Sequence, residues 1–398
     1  MDFDIILTLK KYICSLNCQA YKVKSPLKPR IQKPSLFFKI CLALVLLFGL
    51  EKTVAQTKTS FDKNTWVFMV GVLEWADKES FASFDKRGRV DVKILKFFQE
   101  SGIAPDHIVY FRDKEATTPE VKRAFNNFLK RAQKDDQLFF YYCGHGYHND
   151  DSQVCFANYS GGEWTAKEIV KAVDENFIGK NAFFVADCCN SGGLADEAQK
   201  YKSKNFVALN SVVPKDLSTG NWTFSNALLY GLQGKNFTDT DANGSLGLAE
   251  LANYVDKEMA VVEGQKAAYY IPQGLKNWVV TKGIPTKKDK RIGQHVMVDY
   301  DGEDYLGFIT NTDAAKGINV RFYSYTNNEI EWVEASRVKP FVCKSDFALG
   351  ALVRVYSSYD QKWMKARVLR KFSCLHYIRY EGYGSEWDEW VSPDNIKK

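Results

Sequence analysis

The chain has 398 residues, 45% of them hydrophobic and 14% aromatic, enough for two or three domains with sizeable cores. Its 54 basic and 48 acidic residues leave a net charge of +6 that is spread along the chain, which argues against a nucleic-acid binder. Nine cysteines are too few for a disulfide-built scaffold of this size.

Residues 1–39 are rich in Lys and Arg, contain Pro26, Pro29 and Pro34, and show no sustained periodicity. An eleven-residue apolar run, Ile40–Leu50, follows, and then Thr53-Val54-Ala55. A basic flank, a short apolar core and a small-x-small site predict an export signal cut after Ala55, within a leader spanning 1–55. The run is too short for a stable membrane span, which needs about 20 residues; an uncleaved membrane anchor is the alternative. Cleavage removes Cys14, Cys18 and Cys41 and leaves six cysteines in an oxidising compartment.

A first folded domain is expected over 62–283. Trp66–Val72 reads as a buried strand, and Val92, Leu95 and Phe98 as one face of a helix that stops at Gly102. Ile108–Phe111 is a short strand. Thr117-Thr118-Pro119-Glu120 has capping-box spacing and opens a helix with the stripe Val121, Phe125, Phe128, Leu129 and Ala132. The strand Gln137–Cys143 then ends in Gly144-His145-Gly146. A second capping box, Thr165 to Glu168, opens a helix through Ile169, Val170 and Val173, and the strand Ala182–Ala186 runs into Asp187-Cys188-Cys189. Phe206–Asn210 is a further strand, followed by helices from about Thr223 and Leu248 and a last strand at Trp278–Val280. This alternation predicts an α/β fold with a mainly parallel sheet and helices on both faces. In such sheets the carboxyl ends of the strands line the site, which puts His145 and Cys189 on one edge.

A thiolate is a strong nucleophile, and a neighbouring imidazole can lower the thiol pKa and later protonate a leaving amine. The main-chain N–H groups of Gly146 and Cys189 are candidate donors to the oxyanion, and glycine at 144 and 146 is expected to let substrate backbone approach closely. A single Cys or His is usually structural. These two sit at polar strand ends flanked by glycine, which a core residue does not require. Cys188 faces the opposite side from Cys189 and reads as core.

Tyr142-Cys-Gly-His-Gly146 and Asp187-Cys-Cys-Asn-Ser-Gly192 resemble the two catalytic motifs of the caspase/metacaspase superfamily, cysteine peptidases of the clan CD type. Thr219–Asn226 resembles the small-subunit portion of that fold, and the likeness runs from about Thr65 to Lys282. Asn190 stands where metacaspases usually have His. The resemblance implies a caspase-like fold and an endopeptidase with a Cys189–His145 dyad. It also matches Asp187 and Asp91 to two acids that line the primary pocket of metacaspases, implying cleavage after Arg or Lys. Arg87 and Arg89 lie where true caspases place an arginine and cut after Asp, so Asp specificity is the alternative. Such families are often cut by themselves between the nucleophile and the next strand, which makes Lys200, Lys202 and Lys204 candidate autoprocessing sites.

Asp239-Thr-Asp241-Ala-Asn243-Gly244 through Glu250 matches the twelve-position calcium-loop pattern, with Asp239, Asp241, Asn243 and Glu250 as oxygen ligands. The alternative is that the same residues only cap the helix that follows. After a charged linker over 284–291 the chain repeats itself: Gly293-x-x-Val296-x-Val298 returns as Gly350-x-x-Val353-x-Val355, and Glu331-Trp-Val333 as Glu389-Trp-Val391. Short strands and tight turns predict two small all-β barrels, 292–341 and 347–398. They resemble SH3-like Tudor, chromo-barrel and Tudor-knot modules, whose aromatic cages bind cationic side chains; Tyr356, Tyr359, Trp363, Tyr383 and Trp387 are the cage candidates in the second copy. Cys343 and Cys374 are both available to pair.

The reading is thus an exported cysteine endopeptidase acting on proteins or peptides, with two binding modules of unknown ligand. No cofactor is required for the chemistry, and calcium is the one candidate. The alternative is a non-catalytic recognition protein built on the same fold.

Overall fold

The computed structural model describes residues 57–323, 330–357 and 360–398; the expected export signal and Tyr359 lie outside them. Six strands form the main sheet: β1 (Thr65–Gly71), β2 (Ile108–Arg112), β3 (Gln137–Cys143), β4 (Asn181–Asp187), β5 (Phe206–Asn210) and β6 (Ala268–Tyr270). Their order is β6-β5-β4-β3-β1-β2, parallel throughout except for the antiparallel edge strand β6. The sheet is therefore mixed.

Every residue of β1, β3 and β4 is buried, which explains their apolar interiors, with polar residues only at the strand ends. Alternate side chains serve opposite faces. Val67, Met69, Phe139 and Tyr141 pack beneath α1 (Val90–Glu100), while Trp66, Phe68, Leu138 and Phe140 pack beneath α2 (Thr118–Leu129) and α3 (Ala166–Asn176). The short α4 (Gly193–Ala198) joins the second face, and α5 (Thr223–Leu232) and α6 (Leu248–Glu258) the first. The capping box at Thr165 and Glu168 is closed in both directions. The one expected at Thr117 is not. There the Thr118 N–H donates instead to Ser160 Oγ at 3.2 Å, so a neighbouring loop satisfies the helix start. The expected last strand, observed as Val279–Lys282, leaves the main sheet and pairs with Lys58–Thr59 and Ser245–Gly247.

Two five-stranded, antiparallel all-β units follow. The first comprises β7 (His295–Tyr300), β8 (Glu303–Asp313), β9 (Gly317–Phe322), β10 (Ile330–Val333) and β11 (Val338–Pro340). The second comprises β12 (Leu352–Ser357), β13 (Lys362–Phe372), β14 (Leu375–Tyr380), β15 (Glu389–Val391) and β16 (Ile396–Lys397), in the same order and with a register shift at the equivalent place in the second strand. Val296, Phe308 and Val320 of the first unit continue the core under α5 and α6, whereas the second has a separate core around Val355, Val368 and Ile378. The segment 284–291 is accordingly no free tether: Ile284 and the adjoining Ile292 are buried. A disulfide joins Cys343 to Cys374. Among the described residues no helix is long and apolar enough to cross a membrane.

Candidate active site

Parallel pairing sets Cys143 opposite Asp187 across β3 and β4. His145 and Cys189 each lie two residues beyond that pair, so strand register brings both to the same edge of the sheet. The loops that carry them touch. A Cβ on Gly146 would lie 1.9 Å from the Cys189 carbonyl oxygen, so no residue but glycine fits there. The expectation that this glycine admits substrate backbone is corrected on that side: what approaches it there is the main chain of Cys189. At Gly144 a Cβ would meet the Tyr142 hydroxyl and the Val72 carbonyl, yet the residue itself borders the pocket beside Cys189.

Cys188 is buried in the core, and Cys189 is half-exposed with its thiol 3.8 Å from the Ser218 carbonyl. Asn190 takes a left-handed conformation (φ 59°), which Asn tolerates better than most residues. Its N–H donates to the Asp216 carbonyl and its Nδ2 to the Pro214 carbonyl, both at 2.9 Å, so the Cys189 loop is fastened to the loop after β5.

The loop after β1 supplies a setting for His145 that sequence reasoning missed. Trp75 and Phe84 pack on the imidazole with centroids at 4.4 and 4.5 Å, and His145 Nε2 lies 2.8 Å from the Ala82 carbonyl oxygen. A carbonyl only accepts, so Nε2 carries the proton and the neutral ring keeps its lone pair on Nδ1. The aromatic spacing Trp75, Phe81, Phe84 was the available signal. Burial pushes the His145 pKa below its ordinary value, and burial pushes the Cys189 thiol above its own. Near neutral pH both groups therefore rest uncharged.

Cys189 opens onto a pocket of about 50 Å³ whose lining includes Phe84, Asp85, Cys143, Asp187, Ser218 and Trp222. Asp187 is buried, accepts from Ser225 Oγ at 2.6 Å, and is raised to about 7 by desolvation. Asp91 does not line this pocket, contrary to expectation. It is wholly buried and held by both Arg89, at 2.6 Å, and the Tyr110 hydroxyl, at 2.7 Å. Arg89 also reaches Asp113 and the Gly71 carbonyl, so its guanidinium is fully engaged and neither partner is left for a substrate. The second carboxylate on the pocket is Asp85, paired with the exposed Arg87 at 2.6 Å. Lys200, Lys202 and Lys204 lie exposed on the turn between α4 and β5, two of them bridged to Glu197 and Asp174. Away from this edge, carboxylate oxygens of Asp239, Asp241 and Glu250 converge within 4.8 Å.

A family model described as the caspase domain matches residues 88–290. No curated protein matches the chain. Solved structures similar to it include a protein from Geobacter sulfurreducens, at 12% identity and TM-score 0.40, covering 54% of this chain and 96% of that one. Caspase-1 from Spodoptera frugiperda aligns at 16% identity and TM-score 0.38, covering 54% of this chain and 89% of that one.

Proposed function

This chain belongs to the caspase-domain family, whose model spans just over half of it, and we propose that it is an exported cysteine endopeptidase that cuts proteins after Arg or Lys. The observation that carries the catalytic reading is the register of β3 with β4, which sets His145 and Cys189 at one edge. In this reading His145 Nδ1 takes the Cys189 proton as sulfur attacks the scissile carbonyl. The resting pair is neutral, so charge develops only when substrate is present. The N–H groups of Gly146 and Cys189 receive the oxyanion, and the imidazolium returns its proton to the leaving amine. Water then releases the acyl group from Cys189.

Basic specificity rests on Asp187 and Asp85 instead of Asp187 and Asp91. The Asp85–Arg87 pair is exposed and screened by solvent, so an incoming cation can displace Arg87 at little cost. Asp187 adds a pH signature. With its carboxyl at about 7, it is a neutral acid below that pH and an anion above it. A panel of fluorogenic peptides ending in Arg, Lys, Asp or Asn, assayed from pH 5 to 9, tests this. Arg and Lys substrates are expected to be cut, with kcat/KM falling toward tenfold per unit as pH drops below 7. Cleavage after Asp alone would overturn the assignment of the primary pocket to Asp187 and Asp85. Failure to cut any substrate, together with no labelling of Cys189 by a peptide electrophile, would favour the non-catalytic recognition protein.

Calcium is proposed at the loop of Asp239, Asp241, Asn243 and Glu250, because its donors are hard oxygens that already converge. A bound ion would brace the entry into α6 and take no part in peptide cleavage. Addition of calcium is expected to raise the melting temperature by several degrees over chelator, and Glu250→Gln to remove that difference. Identical melts in calcium and chelator would assign the loop to capping alone. The Cys343–Cys374 disulfide supports an oxidising compartment, and hence export after Ala55. The paired five-stranded units support the reading of two SH3-like, Tudor-like binding modules.

A further inference from the structure

The loop 213–216 that holds Asn190 also forms one wall of a second cavity, of about 480 Å³, whose opposite wall is the second all-β unit. The aromatic residues expected to form one cage are divided there. Tyr356 and Trp363 pair on one side, with Lys397 Nζ 3.6 Å from the Trp363 ring. Tyr380, Tyr383 and Trp387 line the cavity instead, in successive edge-to-face contacts at 6.1 and 6.0 Å.

Six carboxylates, those of Asp196, Asp216, Asp360, Glu386, Asp388 and Glu389, border this cavity against only Lys215 and Arg370. Arg370 lies 4.5 Å over Tyr377 and 5.9 Å from Trp390, so the wall already engages one cation of its own chain through ring faces. Asp388 is paired with Arg379, but the Asp216 carboxylate has no hydrogen bond among the described residues. Desolvation raises Asp216 to about 6, as expected of an acid that a cation would stabilise. Aromatic walls and surplus carboxylate together select a cation and reject an anion. The volume exceeds one Lys or Arg side chain and admits flanking backbone.

We infer that this cleft is an exosite for a basic peptide segment, with a Lys or Arg side chain lodged against Tyr383 and Trp387 and facing Asp216. Because loop 213–216 also fastens Asn190, the bound segment sits beside the nucleophile loop. It fits a substrate region remote from the scissile bond. The site does not depend on the catalytic assignment, and its test uses an uncleaving protein.

Fluorescence anisotropy would follow a fluorescein-labelled Lys-rich peptide, and its Glu-substituted counterpart, binding to full-length protein carrying Cys189→Ala. The Lys peptide is expected to bind and the Glu peptide not, with affinity falling as salt rises. Tyr383→Ala with Trp387→Ala should weaken binding about tenfold or more. The exposed, isosteric Glu386→Gln, whose fold is checked by its melting curve, should weaken it several-fold. Asp187→Asn, in the primary pocket, should change it less than about twofold. Binding lost in Asp187→Asn but retained in the cleft variants would overturn the proposal, as would equal binding of both peptides or of neither.

Discussion

Cys189→Ala is expected to lower kcat/KM for every cleaved peptide by roughly 10⁴-fold or more, because removing a covalent nucleophile leaves only binding and oxyanion stabilisation. The adjacent thiol provides the control. Cys188 lies in the core under α4, so Cys188→Ala removes a small buried group and is expected to keep activity within a few-fold. The reverse result would move the nucleophile one residue back. His145→Ala should match the Cys189 loss and not add to it, since the two groups act in one proton transfer. The same variants decide autoprocessing. Intact mass spectrometry of wild type is expected to show chains ending at Lys200, Lys202 or Lys204, and Cys189→Ala to show none. Identical cut patterns would assign the cuts to another protease. The geometry makes self-cutting demanding, because that turn is short and held by successive main-chain bonds at Lys200, Tyr201 and Lys204. A substrate strand must be extended, so the turn must open first.

The placement of His145 and Cys189 at one sheet edge could be read from the chain because each lies two residues beyond a strand with an apolar interior. Strands buried on both faces announce themselves, and parallel register then fixes what their ends bring together. The pocket could not be read in the same way. Asp91 and Asp85 are both acids beside an arginine in sequence; only side-chain direction decides that Arg89 seals the first while Arg87 leaves the second on the pocket rim. The partners of His145 come from a loop more than sixty residues upstream, and their packing is a tertiary event with no local period. The repeat in the tail was legible for a similar reason, since alternation and turns are local. Its attachment was not. Arg321 looks like an outward residue of a strand, yet it is 1% exposed because α6 covers that face.

Breaking that attachment should produce a large loss of stability. Arg321 Nη2 donates to Glu258 Oε2 at 2.9 Å, the Tyr323 hydroxyl donates to the same oxygen at 2.8 Å, and His295 Nε2 lies 3.1 Å from Oε1. Aromatic rings surround the guanidinium, with Phe308 at 4.6 Å and Tyr230 at 4.7 Å. Burial alone would raise the Glu258 carboxyl, but His295 and Arg321 outweigh it and hold it at about 2. A carboxyl depressed on folding contributes stability above its unfolded pKa, near 4.5, and that contribution fades as pH falls from there toward 2. Arg321→Met leaves Glu258 buried without its guanidinium partner and is expected to cost about 3–5 kcal/mol in denaturant unfolding at pH 7. Glu258→Leu, which strands the guanidinium, should cost a similar amount. The double variant should recover most of the loss, because an apolar pair of similar size leaves no uncompensated charge between α6 and β9. Its stability should also vary less than wild type between pH 4.5 and 2. Single variants costing under about 1 kcal/mol, or a double variant no better than either, would mean that the shared apolar core alone joins the first all-β unit to the caspase domain.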